Sequence, residues 1–167
     1  MSTTMLALVT RWPYGALRGE PLPAARHGAA GDGVPETRRA SWVLPAVPSS
    51  TSRARGLVRA TLRDWTGGTE DEVTEVAEVA ELLVSELVGN ALLHGRGEPV
   101  LTLTLRDGVL RCEVEDEAAV PLCTRDRSPD DAEGGRGLLI VEALSRSWGV
   151  CPTSRGKAVW FELATRS

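Results

Sequence analysis

Three polar side chains, Glu86, Asn90 and His94, recur every fourth residue inside an otherwise apolar run, LLVSELVGNALLHG, residues 82 to 95. On an α-helix a spacing of four turns each position about 40° from the last, so the three share one side, next to the apolar stripe. A carboxylate and an amide are costly there unless they meet partners or a ligand. An ordinary surface glutamate beside a satisfied asparagine fits the same spacing, and His94, at the helix end, reads as a capping or packing residue. A second carboxylate sits where alternation aims it inward. In Arg111 to Asp116, Cys112, Val114 and Asp116 fall on one strand face and Arg111, Glu113 and Glu115 on the other. Asp116 therefore needs a hydrogen-bond donor, which a ligand's amino group or the following loop amides would supply. Third, Gly134-Gly135-Arg136-Gly137 precedes Leu138-Leu139-Ile140-Val141. Glycines let backbone N–H groups approach an anion, and a helix N-terminus adds a favourable dipole. Gly-rich turns before helices are common, and neither a Walker A pattern nor GxGxxG is present to support a P-loop or Rossmann reading.

The elements that must hold these residues follow from periodicity. Residues 1 to 38 carry scattered Pro and Gly without periodicity and read as a mobile tail, leaving 39–167 as the domain. Ala40 to Val47, closed by Pro45 and Pro48, is compatible with an edge strand. Ser49 to Ser52 offer N-cap hydroxyls for a helix through Ala54, Leu57, Val58, Leu62 and Trp65, with Arg53, Arg59 and Arg63 on its solvated face. Thr69 and Glu72 form a capping-box pair opening a long helix that runs to His94, with Gly95 as its C′ stop. The period then changes to two. Val100 to Arg106 and Val109 to Asp116 form a hairpin across Asp107-Gly108, a dipeptide suited to a type I′ turn. A loop spans 117 to 135, Arg136 to Ser145 reads as a buried helix, and Ser147 to Cys151 with Lys157 to Ala164 make a second hairpin across Arg155-Gly156. Helices grouped beside a mostly antiparallel sheet give an α+β, two-layer sandwich with about three helices on one face.

Composition bounds what this domain does. At 167 residues and 17.9 kDa, with 42% hydrophobic residues, the chain supports one domain with its own core and excludes full-length disorder. A net charge of −4 disfavours binding to a nucleic-acid backbone, and no run reaches the ~20 apolar residues of a membrane span. Cys112, Cys123 and Cys151 are odd in number and lack CxxC spacing, so they read as reduced thiols; with two histidines, His27 and His94, no transition-metal centre is indicated. The chain reads as cytoplasmic. Eighteen arginines stand against one lysine, Lys157, a bias that resembles GC-rich coding rather than a mechanism. Seven acids and no base lie between Glu70 and Glu86, so the negative charge gathers on one helix.

Taken together, Glu86-x3-Asn90, then Asp116, then Gly135-x-Gly137 and a terminal hairpin resemble the nucleotide site of the GHKL, or Bergerat-fold, ATPase and kinase superfamily. ELVGNALLHG, VEDEA, EGGRGLLIVEALSRSWGV and GKAVWFEL are similar to the anti-sigma-factor serine/threonine kinases, above all the small actinobacterial ones, over residues 40 to 164. The resemblance implies that Asn90 coordinates Mg²⁺ bridging the phosphates of ATP. It implies that Glu86 is the general base, that Asp116 accepts from the adenine amino group, and that Gly134, Gly135 and Gly137 let the phosphates sit against the helix beginning near Arg136, whose guanidinium adds charge neutralisation. Residues 117 to 133 would be the ATP lid. The implied partners are a sigma factor and an anti-anti-sigma protein of STAS type carrying the phosphorylated serine, with a homodimer through the helix-poor side.

The chain departs from the family pattern at three positions. Ala118 stands where Gly is frequent and would narrow the base pocket; Ala158 replaces a Thr of the final motif; Glu133 stands where an Arg near the phosphates is expected. These bear on phosphoryl transfer more than on ATP binding. Two other functions fit the same motifs: a non-catalytic module whose ATP only shapes a protein-binding surface, and the detached ATPase half of a two-component sensor. The latter is disfavoured because no phosphoacceptor helix with a histidine precedes Glu86.

Overall fold

The computed structural model describes residues 37–66, 70–119 and 135–165, and side chains within these except at 70–74 and 135–136. The elements run β1 (Arg38–Val43), α1 (Ser50–Thr66), α2 (Glu70–His94), β2 (Val100–Arg106), β3 (Val109–Asp116), α3 (Gly135–Leu144), β4 (Ser147–Pro152) and β5 (Lys157–Ala164). The five strands form one sheet in the order β1-β2-β3-β5-β4, every neighbouring pair antiparallel. This is the α+β architecture expected from the change of period along the chain.

The alternation of β3 is complete: Leu110, Cys112, Val114 and Asp116 are buried while the residues between them are half-buried. They join Leu101 and Leu103 of β2 and Phe161 and Leu163 of β5 to form the inner face of the sheet. Against it pack Ala54, Val58 and Leu62 of α1, the stripe Ala77, Ala80, Leu83, Val84, Leu87, Val88 and Ala91 of α2, and Val141 of α3. Each fully buried Leu, Val or Phe contributes about 1.5–3 kcal/mol, so this layer dominates the stability of the domain. The outer face is polar. Arg111 stacks on the Trp160 ring at 3.9 Å and pairs with Glu113 and Glu162 at 3.1 Å each.

Local chemistry sets the boundaries. β1 ends at Val43 rather than Val47, because Val47 N–H turns back to the Pro45 carbonyl at 2.8 Å and Ser50 N–H to that of Val47 at 3.0 Å. The Ser50 hydroxyl donates to the Pro45 carbonyl at 2.6 Å instead of accepting from the first turn of α1. Asp107 and Gly108 both have positive φ, 52° and 74°, as a type I′ turn requires. Arg53 and Arg63 are exposed, and Arg59 pairs with Glu81 across α1 and α2 at 2.5 Å. Thr69, the Glu72 side chain, residues 1–36 of the expected tail and Cys123 lie outside the described residues, whereas Arg38, expected in the tail, opens β1; Cys112 and Cys151 are free thiols.

Candidate functional site

Helix α2 carries the site along its length. Glu86 and Asn90 lie one turn apart and are both half-buried, as expected for polar groups at the margin of the apolar stripe. The first turn of α3 approaches them closely. A β-carbon placed on Gly137 would stand 2.5 Å from Glu86 Oε2 and 3.5 Å from Asn90 Nδ2. The Gly-rich segment and the Glu-x3-Asn segment, about fifty residues apart in sequence, thus meet with only hydrogen on the α3 side. Gly135 opens α3, and the backbone N–H groups of its first turn are the unsatisfied donors that suit phosphate oxygens. The side chain of Arg136, all of Gly134 and Glu133, and the loop 120–134 lie outside the described residues.

The same helix reaches Asp116 at its other end. Gly95 N–H donates to the Ala91 carbonyl at 2.9 Å, and Gly95 is not left-handed; the positive φ expected there belongs to Gly97, at 69°. Gly95 serves close approach instead. A β-carbon on it would meet the Ala91 carbonyl oxygen and stand 2.9 Å from Asp116 Cγ. From Glu86 to Gly95 is nine residues, roughly 13 Å along the axis. His94 is exposed and ends α2.

Asp116 is 2% exposed, as the inward alternation of β3 requires. Both its carboxylate oxygens accept from Lys157 Nζ at 2.8 Å, and Oδ1 also accepts from Ala118 N–H at 2.7 Å. The loop amide and a cation therefore both contribute to satisfying it. Lys157 is the site residue that sequence reasoning missed, although alternation along β5 would have found it: Lys157, Val159, Phe161 and Leu163 stand opposite Asp116, Val114, Cys112 and Leu110 in the antiparallel register. Ala158 pairs with Glu115 on the other face, so its missing hydroxyl removes nothing from beside Asp116. Rim contacts fix the strand ends: Glu117 N–H donates to the Arg96 carbonyl at 2.9 Å, Arg155 pairs with Glu117 at 3.0 Å, and the Thr153 hydroxyl donates to Glu115 at 2.6 Å.

The donor set is compatible with a magnesium ion carried by a nucleotide. Among the described residues no group of three or more His, Cys, Asp or Glu could hold a metal alone. The Gly137 cradle brings the Asn90 amide, by its Nδ2, beside the first turn of α3, and an amide oxygen there would suit a hard cation that takes most of its ligands from a nucleotide. No described helix is long and apolar enough to cross a membrane.

Comparison with known proteins bears on family and fold. The family model described as histidine kinase-like ATPase domain matches residues 44–163. A solved structure of the RsbU and RsbW domains of Rv1364c from Mycobacterium tuberculosis is similar, with TM-score 0.55 and 20% identity over 76% of this chain and 32% of that chain. At that identity the likeness is one of fold, and this chain spans less than half of that one. A search of the curated proteins finds no match.

Proposed function

Because the chain belongs to the histidine kinase-like ATPase family, we propose that it binds Mg·ATP along α2 and transfers the γ-phosphoryl group to a serine or threonine of an anti-anti-sigma protein of STAS type, alternating that contact with capture of a sigma factor. The observation that carries the proposal is the approach of Gly137 to Glu86 and Asn90, which joins a carboxylate, an amide and a helix N-terminus in one place. The RsbW domain named in the similar structure supports the regulatory setting, and the motif resemblance supports the serine substrate.

In this reading Asp116 accepts from the adenine amino group, and the backbone N–H groups at Gly135 and Gly137 hold phosphate oxygens. Asn90 would hold a magnesium ion through its amide oxygen, and the ion would neutralise phosphate charge. Glu86 takes the proton of the substrate hydroxyl as that oxygen bonds to the γ-phosphorus; the bond from phosphorus to the β,γ-bridging oxygen breaks and ADP leaves. Glu86 is half-exposed, so the incoming hydroxyl can reach it from solvent.

Replacing Glu86 by Gln tests the assignment. The variant keeps Mg·ATP affinity in calorimetry and loses phosphotransfer to the anti-anti-sigma partner by 100-fold or more, on the order of what a positioned general base contributes. Wild-type protein that transfers no phosphate while Glu86→Gln captures its partner normally would refute the kinase and leave a nucleotide-shaped binding module.

A further inference from the structure

Asp116 is not an open acceptor. Its carboxylate takes Lys157 Nζ on both oxygens and the Ala118 N–H on Oδ1. A carboxylate has about four lone-pair sites and an ammonium three N–H donors. Three acceptor sites and two donors are engaged in these bonds, so the pair retains one acceptor, on Oδ2, and one donor, on Nζ. Lys157 is held there by the strand register, opposite Asp116 on the same face of the sheet, with its side chain 16% exposed. The neighbouring cation Arg155 is engaged elsewhere, with Glu117 and the Glu98 carbonyl. Glycine backbones keep the surroundings of Asp116 free of β-carbons: one on Gly95 would crowd Asp116 Cγ, and one on Gly156 would meet the Asp116 carbonyl oxygen.

A donor beside an acceptor is the complement of one edge of adenine, where a 6-amino N–H lies next to the unprotonated ring nitrogen N1. We infer that Lys157 is a base-reading residue: as Asp116 accepts from the 6-amino group, Lys157 donates to N1, so the site reads two adjacent atoms of the base. This specificity role rests on the nucleotide reading proposed above. It differs from a plain counter-ion role, in which Lys157 would only neutralise Asp116 and the base would meet the carboxylate alone.

Calorimetric titration with ATP, with 1-deaza-ATP, whose N1 is a C–H, and with purine riboside triphosphate, which lacks the 6-amino group, separates these roles. Wild-type protein binds 1-deaza-ATP roughly tenfold more weakly than ATP, the loss expected for one hydrogen bond from a charged donor. Lys157→Met and Lys157→Thr bind ATP and 1-deaza-ATP alike, yet still prefer ATP to the purine riboside triphosphate through Asp116. Equal wild-type affinity for ATP and 1-deaza-ATP, or a preference that persists in both variants, overturns the inference and leaves Lys157 a counter-ion only. If neither variant folds, as a circular dichroism melt would show, the wild-type comparison decides alone. Failure of the wild type to bind ATP, or equal affinity for ATP and the purine riboside triphosphate, overturns the nucleotide reading instead.

Discussion

Gly137 and Glu86 share a space that has no room for one more carbon: a β-carbon at position 137 would stand 2.5 Å from Glu86 Oε2. The atom in the way is the far end of a flexible side chain, so a β-carbon there would displace the Glu86 carboxylate more than it would disturb the fold. If Glu86 is the proposed base, position 137 is where function and stability separate.

Gly137→Ala should keep or slightly raise thermal stability, because Ala in a helix is favoured over Gly by up to ~1 kcal/mol. The same substitution should push the Glu86 carboxylate aside and lower phosphotransfer at least about tenfold, since catalytic groups displaced by as little as ~1 Å lose much of their effect. A melt and a transfer assay on the same preparation check both.

Gly95→Ala should behave in the opposite way. Its β-carbon would meet the backbone oxygen of Ala91, which cannot retreat without loosening the last turn of α2, and the buried carboxyl of Asp116. Overpacking of this kind costs about 1–3 kcal/mol, read as a lower urea midpoint with unchanged slope.

Breaking the Asp116–Lys157 pair from one side should be expensive. Lys157→Met leaves a carboxylate that is 2% exposed without its cation, and a loss of about 3 kcal/mol is expected. Asp116→Asn in the same chain should restore a large part of it, since the amide needs no counter-ion. Chemical denaturation of the two single variants and the double variant closes the cycle.

Cys112 gives the stability a pH dependence. Burial, with a smaller contribution from the Glu113 carboxylate, raises its thiol far above the ordinary range, so the folded protein resists ionising it. The stabilisation is present in full below the unfolded thiol value of about 8.5 and is lost as pH rises above it, by up to ~1.4 kcal/mol per pH unit. Urea unfolding at neutral pH and above that value measures the slope, and Cys112→Ala should flatten it. Thiol-reactive probes should label Cys112 only through unfolding, whereas half-buried Cys151 reacts in the native state.

The parts of the site legible in the sequence were those written in periodicity. Four-residue spacing put Glu86 and Asn90 on one side of a helix, and two-residue alternation buried Asp116, because local backbone geometry alone decides which way those side chains turn. Composition gives no hint of Lys157: one lysine beside eighteen arginines carries no signal by itself, and its role depends on which strand it faces. A C′ stop is the commonest use of a glycine after a helix, and that is all the position of Gly95 in the sequence indicates. Its actual use depends on Asp116, twenty-one residues further along the chain.

The sequence by itself determined the elements, their order, the hairpin turn at Asp107-Gly108, the inward carboxylate and the polar side of α2, since each follows from interactions within a few residues. Only the tertiary structure decided that β3 lies beside β5, bringing Lys157 onto Asp116, and that the first turn of α3 lies against Glu86 and Asn90. Those contacts join residues 41 and 51 positions apart, and they are set by how apolar faces pack into one core rather than by any local preference of the chain.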